Sequence, residues 1–496
     1  MHPLLLPELL GLISGYLAHK EQQRCSQVCW TWNSYFSPLV WKACTVDYGC
    51  HTKHKLIPVS ALHTYAPHIR VLSFQGFVSA DHFAIPCTRL EHLKIVDGSR
   101  VDFKGFSTEQ PREIWASLAR LVSSNPDLTT VEIAEIDWIP TDVFWKAVAD
   151  HPGIRKLSLD QVRVEFGHLK IFWQACSGVE VLTLQRCRIS NHDDTLDTMP
   201  VMFRRLQELN VENLLQPLPH VQIELLRLCP QLSSFYWRGG AVHGLARDNL
   251  LSILGSGRLP NLDSMDIMGM NLTDLDTEHI IHCMSRVRKL AVYQTNFGPS
   301  SIRSLEPHFK SIEELNLLQC PQVTSANVAL LLRSCPLLRV LKAEAISSDE
   351  IKDGDVWPCH EHLRTLVLYF DLTLADRLGE CHIVFALLSK LKNLRRLNIS
   401  RYLTPHGRRF LGDNKSVQLR LDHGLGLLES LRHLEALYFD GIIQDMTMAE
   451  AQWMEEHWKA LRTVRGVFTN SAMLNREITT FFKNTISGHI PLPSSH

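Results

Sequence analysis

Leu206-Gln207-Glu208-Leu209-Asn210-Val211 and, further on, Leu394-Arg395-Arg396-Leu397-Asn398-Ile399 are the two clearest copies of one pattern, L-x-x-L-x-L. Positions four and six are two residues apart, so they lie on one face of a short extended strand, and position five points the other way. With other apolar residues standing in for Leu, copies begin at Ile69, Leu90, Leu128, Ile154, Val179, Leu206, Leu232, Leu262, Val287, Ile312, Leu338, Leu363, Leu394, Leu434 and Leu461. That makes about fifteen copies, most of them 25 to 27 residues apart. Between copies run stretches of helical spacing, such as Val328 to Ser334. Pro often follows them, as in Cys229-Pro230 and Cys335-Pro336, because Pro cannot continue a helix.

One strand-plus-helix unit cannot bury its apolar edge alone, whereas stacked neighbours share a continuous core. The expectation is an α/β solenoid over residues 69–466, with a parallel sheet on its concave side and helices on its convex side. Two stretches, 98–127 and 400–433, exceed one period and read as loop insertions, where the stack should be weakest. The unit resembles the leucine-rich repeat, and its cysteine-containing subtype in particular. Cys335, Leu338 and Leu341 fit the first half of that motif, as do Cys176, Val179, Leu182 and Leu184. The second half is carried by Leu315, Leu317, Cys320, Val323 and Thr324, and again by Cys187, Ile189 and Ser190.

The first 45 residues differ from the rest. Leu9, Leu10, Ile13 and Leu17 recur at helical spacing, and a second helical set follows at Cys25, Val28, Cys29 and Trp32, with Trp41 closing the segment. Two or three helices this small cannot bury that surface among themselves, so part of it must rest on the remaining chain or on a partner. The segment resembles an F-box through Pro7, Glu8, Leu9, Leu10, Ile13, Tyr16, Leu17, Val28, Cys29, Trp32 and Trp41. It departs from that family in a compressed opening, Leu6-Pro7-Glu8-Leu9, and in Glu21-Gln22 where the family has Asp-Leu. The domains are therefore expected as an F-box over 1–45, a linker and cap over 46–68, the solenoid over 69–466, and a C-terminal cap and tail over 467–496.

Bulk composition agrees with a folded array. The 496 residues are 45% hydrophobic and 21% charged, and 51 Lys and Arg against 52 Asp and Glu give a net charge of −1. So even a balance gives no reason to expect nucleic acid or an anionic membrane as partner. The apolar run from Leu4 to Leu17 is interrupted by Pro7, Glu8 and Ser14, too short for a bilayer span and without the basic start of a signal peptide. Thirteen Cys, an odd number spread along the chain, point to reduced thiols and a cytoplasmic or nuclear location rather than to a secreted disulfide framework.

No catalytic motif is present, and no catalytic residue is assigned. Cys44, Cys50, His51 and His54 have zinc-compatible types, but their spacing matches no common finger, and Cys359, His360 and His362 read the same way; no metal or cofactor is expected. Cys176, Cys187, Cys229, Cys320 and Cys335 hold repeat positions and read as small core residues. The outward side of the strands, read as position five, presents Tyr236, Tyr293, Tyr369 and Tyr438, residues favoured at binding surfaces. The N-terminal half presents Ser73, Glu132, Ser158, Thr183 and Asn210 instead.

The family resemblance implies a receptor. Its F-box would dock on a Skp-type adaptor, and through it a cullin, using Pro7, Leu9, Leu10, Ile13, Leu17, Val28, Cys29, Trp32 and Trp41. Its concave face would hold an unidentified protein substrate on the four Tyr for ubiquitination by other subunits. A different class stays open: a ligase-independent scaffold or inhibitor that binds a protein through the same face, with the apolar head packed on the solenoid.

Overall fold

The computed structural model describes residues 7–47, 57–76, 80–96, 110–136, 138–189, 202–215, 218–239, 244–373, 376–401 and 415–486. The chain divides into two compact units, Met1–Gly240 and Ala241–His496.

The first unit opens with three short helices, α1 Pro7–Tyr16, α2 His19–Cys25 and α3 Trp30–Val40. Leu10 and Phe36 form their small core. Gly11 lets α1 approach α3 closely, since a Cβ there would lie 3.2 Å from the Tyr35 Oη. Glu21 and Gln22, the departure noted above, have a visible use. The Ala18 N–H donates to Glu21 Oε2 at 2.7 Å, capping α2, and the Gln22 amide donates to the Ser14 and Leu17 carbonyls at 3.1 and 3.3 Å. Polar ties close the α1–α2 turn in place of an apolar contact.

The parallel ladder of this unit runs through β1 Ala43–Asp47, β2 Val71–Gln75, β3 His92–Val96, β4 Thr130–Ala134, β5 Lys156–Asp160, β7 Val181–Gln185, β9 Glu208–Glu212 and β10 Ser234–Arg238, each paired with the next. A second, two-stranded parallel pair joins β6 Arg163–Val164 to β8 Arg188–Ile189. The helices between are α4 Val59–Tyr65, α5 Ala80–Phe83, α6 Gln110–Ser123, α7 Asp142–Asp150, α8 Leu169–Ser177 and α9 Pro219–Glu224. Positions four and six are the buried ones in repeat after repeat: Leu72 and Phe74, Leu93 and Ile95, Val131 and Ile133, Leu157 and Leu159. A row of rings continues that core through the helical layer. Trp138, Trp115, Phe144, Trp145, Phe172, Trp173 and Phe203 follow one another at centroid distances of 4.8, 4.8, 5.2, 5.0, 4.7 and 6.2 Å.

In the second unit β11 Ser264–Met268, β12 Lys289–Ala291, β13 Glu314–Asn316, β14 Val340–Ser347, β15 Thr365–Asp371, β16 Arg396–Asn398, β17 Ala436–Ile443 and β18 Thr463–Val467 pair in chain order, all parallel. They alternate with α10 Gly244–Gly255, α11 Asp274–Cys283, α12 Pro299–Leu305, α13 Ser325–Ser334, α14 Arg377–Leu388 and α15 Met448–His457, and α16 Ala472–Thr485 follows the last strand. Phe468 and Phe482, 5.5 Å apart, seat α16 against the end of the ladder. Both units are stacks of strand-and-helix leucine-rich repeats with parallel strands and an apolar core on one strand face.

The structure departs from the sequence reading at three places. The ladder starts one copy earlier than Ile69. Trp41-Lys42-Ala43-Cys44-Thr45-Val46 is an L-x-x-L-x-L copy without a Leu, its Cys44 and Val46 are buried, and β1 pairs in register with β2. Second, within 98–127 the stretch 110–123 is no loop: α6 buries Trp115, Leu118 and Val122 and serves as the helix of its repeat, while 98–109 lie outside the described residues. Third, 415–431 is core as well, with Val417, Leu419, Leu425 and Leu428 at 0% exposure. Gln418 and Gln444, both buried, lace this stretch to the end of β17: the Leu419 N–H donates to Gln444 Oε1 at 2.6 Å and the Asp445 N–H to Gln418 Oε1 at 3.1 Å. In each insertion the apolar spacing is helical or irregular rather than L-x-x-L-x-L, so a search on the strand motif passes over it.

A further regularity lies just beyond many of the strands. Position eight takes a left-handed backbone in Glu135, Gln161, Arg186, Asn213, Gln294 and Gln319, with φ between 48° and 59°, and Gly76 and Gly269 occupy the same place. Its N–H still reaches the next repeat, as in Gln161 to the Gln185 carbonyl at 2.9 Å and Arg186 to the Glu212 carbonyl at 2.7 Å. Where it occurs, the turn ends the strand while keeping the ladder hydrogen bond.

Candidate functional site

Two surfaces carry the nominated residues. On the head, Leu10 is buried; Leu9, Ile13, Leu17, Trp32 and Trp41 are half-buried; Pro7, Val28 and Cys29 are exposed. Trp32 leans on Phe36 at 5.5 Å. Trp41 stacks on Tyr65 at 4.5 Å with the rings 10° apart, which fits its place at position one of the first repeat. Its ring thus anchors the head to α4.

The large apolar residues that the head leaves in solvent are the nominated Val28, at 63% exposure, and three that were not nominated: Leu12 at 64%, Tyr16 at 90% and Trp30 at 83%. Leu12 and Tyr16 are four apart and share one face of α1. Helical spacing alone favours the Leu9, Leu10, Ile13 and Leu17 stripe, and it misses Leu12 and Trp30. These follow from the position of α3, which takes up the opposite stripe of α1.

On the strand faces, the position-five reading holds for Tyr236 and Tyr438 and needs correction for the other two. Tyr293 and Tyr369 stand at position seven, two residues further along. Tyr236 is half-buried beneath the Arg238 guanidinium, 4.9 Å from its ring, and lies in the first unit. Tyr293 follows the end of β12 and is half-buried, as is Tyr438 on β17. Tyr369 is only 6% exposed. Both faces of β15 are covered from Leu366 to Phe370, the β14–β15 register shifts between Lys342 and Ala345, and the Arg401 guanidinium lies 5.6 Å over the Tyr369 ring. Tyr369 is a core residue of the strand face and no solvent-facing anchor.

Polar groups on the same faces are tied to one another across repeats. In the first unit Glu132 sits 3.5 Å from His92 Nε2, 3.6 Å from Lys94 Nζ and 3.6 Å from Lys156 Nζ. The Asn210 amide donates to Thr183 Oγ1 at 3.3 Å and to Glu208 Oε1 at 2.7 Å, while Ser73 is buried and Ser158 half-buried. In the second unit Lys289 pairs with Glu314 at 2.6 Å and Arg465 with Asp440 at 3.2 Å. Exposed pairs of this kind add little stability but fix side-chain positions, which suits a surface that recognises shape and charge.

The cysteines at repeat positions are core residues. Cys176, Cys187, Cys229, Cys320, Cys335 and Cys359 are all buried, and burial pushes the thiols of Cys187, Cys229, Cys335 and Cys359 up to about 12, so they are protonated and unreactive at neutral pH. Cys44 belongs to β1, while Cys50, His51, His54 and Ser190 lie outside the described residues. Among the described residues no group of three or more His, Cys, Asp or Glu could hold a metal ion, and no helix is long and apolar enough to cross a membrane.

No protein-family model matches the chain, and no curated protein matches it. Among solved structures it is similar to a leucine-rich-repeat protein of Leptospira interrogans, at 13% identity over 88% of this chain and 98% of that one, with a TM-score of 0.32. It is also similar to a chain of the yeast Rad7 and Elc1 complex, at 12% identity over 98% and 89%, TM-score 0.38. A third similarity is to TLR13 in complex with ssRNA13, at 15% identity over 88% and 59%, TM-score 0.33. Similarity this distant bears on neither partner nor activity.

Proposed function

We propose that this chain is a non-catalytic substrate receptor of an SCF-type ubiquitin ligase, residing in the cytoplasm or nucleus. The head binds a Skp-type adaptor, and through it a cullin, while the strand faces of the repeats hold a protein substrate. The observation that carries the reading is the exposure of Leu12, Tyr16, Val28 and Trp30 on a three-helix head whose own core is already closed by Leu10 and Phe36. A head built to pack on its own repeats would bury these side chains; a head built for an adaptor leaves them free. The chain then contributes proximity, holding a substrate lysine near a charged enzyme, and needs no reactive group of its own.

Co-expression with a Skp-type adaptor tests this. Wild type should co-purify with it at one to one, and Leu12→Asp combined with Trp30→Ala should abolish co-purification without lowering the melting temperature. A wild type that does not co-purify would remove the ligase reading and leave the ligase-independent scaffold, and a variant that still does would move the adaptor contact off Leu12 and Trp30.

A further inference from the structure

The paired β6 and β8 set two arginines side by side. Their parallel register places Arg163 opposite Arg188, both exposed, with Val164 and Ile189 buried beneath. Partners in adjacent strands stand about 5 Å apart, where like charges repel. A third arginine joins them: Gln161, Val162, Arg163, Arg186, Arg188, Asn213 and Leu215 line one open groove of ≈ 420 Å³.

Two of the three guanidinia already have carboxylates from the chain. Arg186 is held bidentately by Asp160 at 2.9 and 2.5 Å, and the Gln161 amide oxygen, in the orientation that satisfies both groups, accepts from it at 2.6 Å. Arg163 has Glu165 at 3.9 Å. Glu135 and Glu212 also act on Arg186, and Glu212 accepts a hydrogen bond from Gln185 at 3.3 Å. Arg188 has no side-chain partner among the described residues. Leu215, 70% exposed, stands on the rim with its backbone N–H on the Cys187 carbonyl at 2.9 Å.

The geometry points to this groove as a docking site for an acidic segment of a partner protein, one that brings a carboxylate to Arg188 and an adjacent apolar side chain to Leu215. Carboxylates are the species the chain itself sets against the other two arginines, and a third would complete the row and screen the Arg163–Arg188 repulsion. This rests on the reading of the repeats as a protein-binding array and names one place and one chemistry on it. Arg186 is held in place by Asp160 and Gln161. Only Arg188 and Arg163 need to settle on a ligand.

Fluorescence anisotropy on the full chain is the test, with a fluorescein-labelled Glu-Leu-Glu-Glu-Leu-Glu peptide as probe. Its Gln-for-Glu counterpart and a neutral peptide carrying phosphoserine are the comparisons. The acidic peptide should bind with an affinity that falls as salt rises. Arg188→Glu should weaken it at least tenfold, and Arg188→Lys should retain part of the affinity. Equal binding by Arg188→Glu would overturn the site, as would binding of the phosphoserine peptide alone. The following stretch of the chain carries Asp193, Asp194 and Asp197. A tenfold gain in peptide affinity when all three become Asn would give the groove to the chain itself and overturn the partner assignment. Co-purification with the adaptor should be unchanged in every variant, which separates failure here from failure of the receptor reading.

Discussion

Replacing Asp274 by Ala should uncouple two adjacent repeats of the second unit. Asp274 is the first residue of α11, yet its carboxylate serves the next helix. Oδ1 accepts from the Gly298 N–H at 2.8 Å, the Ser301 N–H at 3.0 Å and the Ser301 hydroxyl at 2.6 Å, and Oδ2 accepts from the Ser300 N–H at 2.9 Å. Three of those donors are the open N–H groups at the start of α12, so one side chain acts as an N-cap across a repeat boundary. Losing an N-cap Asp costs about 0.5–2 kcal/mol, and hydrogen bonds to a charged acceptor about 1.5–3 each when the donors cannot all rehydrate. For this partly buried cluster a loss of about 2–3 kcal/mol follows, or about 4–12 °C in the melting of a unit of this size.

The pH dependence carries the sign. Burial on its own would raise the Asp274 carboxyl, but the hydrogen bonds from Ser301, Ser300 and Gly298 outweigh it and hold it below the ordinary value. A depressed carboxyl stabilises fully above its unfolded value of about 3.9, and the contribution disappears as pH falls through the folded value. Calorimetry of wild type and Asp274→Ala should therefore show a constant gap from pH 7 to 5 that narrows below about pH 4. A gap that persists undiminished at pH 3, or no gap at neutral pH, would refute the cap. Asp274→Asn, which keeps one acceptor oxygen, should fall between the two.

Tyr369→Ala should destabilise the second unit by about 3–5 kcal/mol, as a truncated core aromatic does, while Tyr438→Ala should change stability by under 1 kcal/mol and report on substrate capture instead. Urea unfolding distinguishes the two, and a stable Tyr369→Ala would return that ring to the surface. Glu135→Gly, at a left-handed position eight with its side chain in solvent, should stabilise the first unit by about 0.5–1 kcal/mol. Thermal unfolding that falls instead would mean that the Glu135 side chain has a structural use.

The repeat was legible in the sequence because burial on one strand face writes itself as apolar residues two apart, and a helix behind each strand fixes the period. Positions four and six, the structural cysteines and the absence of a catalytic motif all follow from local pattern. What the pattern hides is any copy that buries without Leu. Trp41-x-x-Cys44-x-Val46 has the right alternation, α6 carries the helical layer of its repeat, and 415–431 packs through Gln418 and Gln444, none of which a Leu template finds.

The outer surface was not legible in the same way. Alternation predicts which way a side chain leaves the strand, and it is silent on what another repeat lays over it. Tyr369 points outward by register and is covered by Arg401 and the widened β14–β15 pair. On the head, helical spacing marks an apolar stripe, but the position of α3 decides that Leu12, Tyr16 and Trp30 stay open while Leu10 closes. Arg163 and Arg188 are a repeat apart in sequence, and only strand pairing brings them together. Local alternation is a property of a few consecutive residues. Coverage and juxtaposition depend on groups that the fold draws from different repeats, so the sequence alone determined the core of this protein and the tertiary structure decided its surfaces.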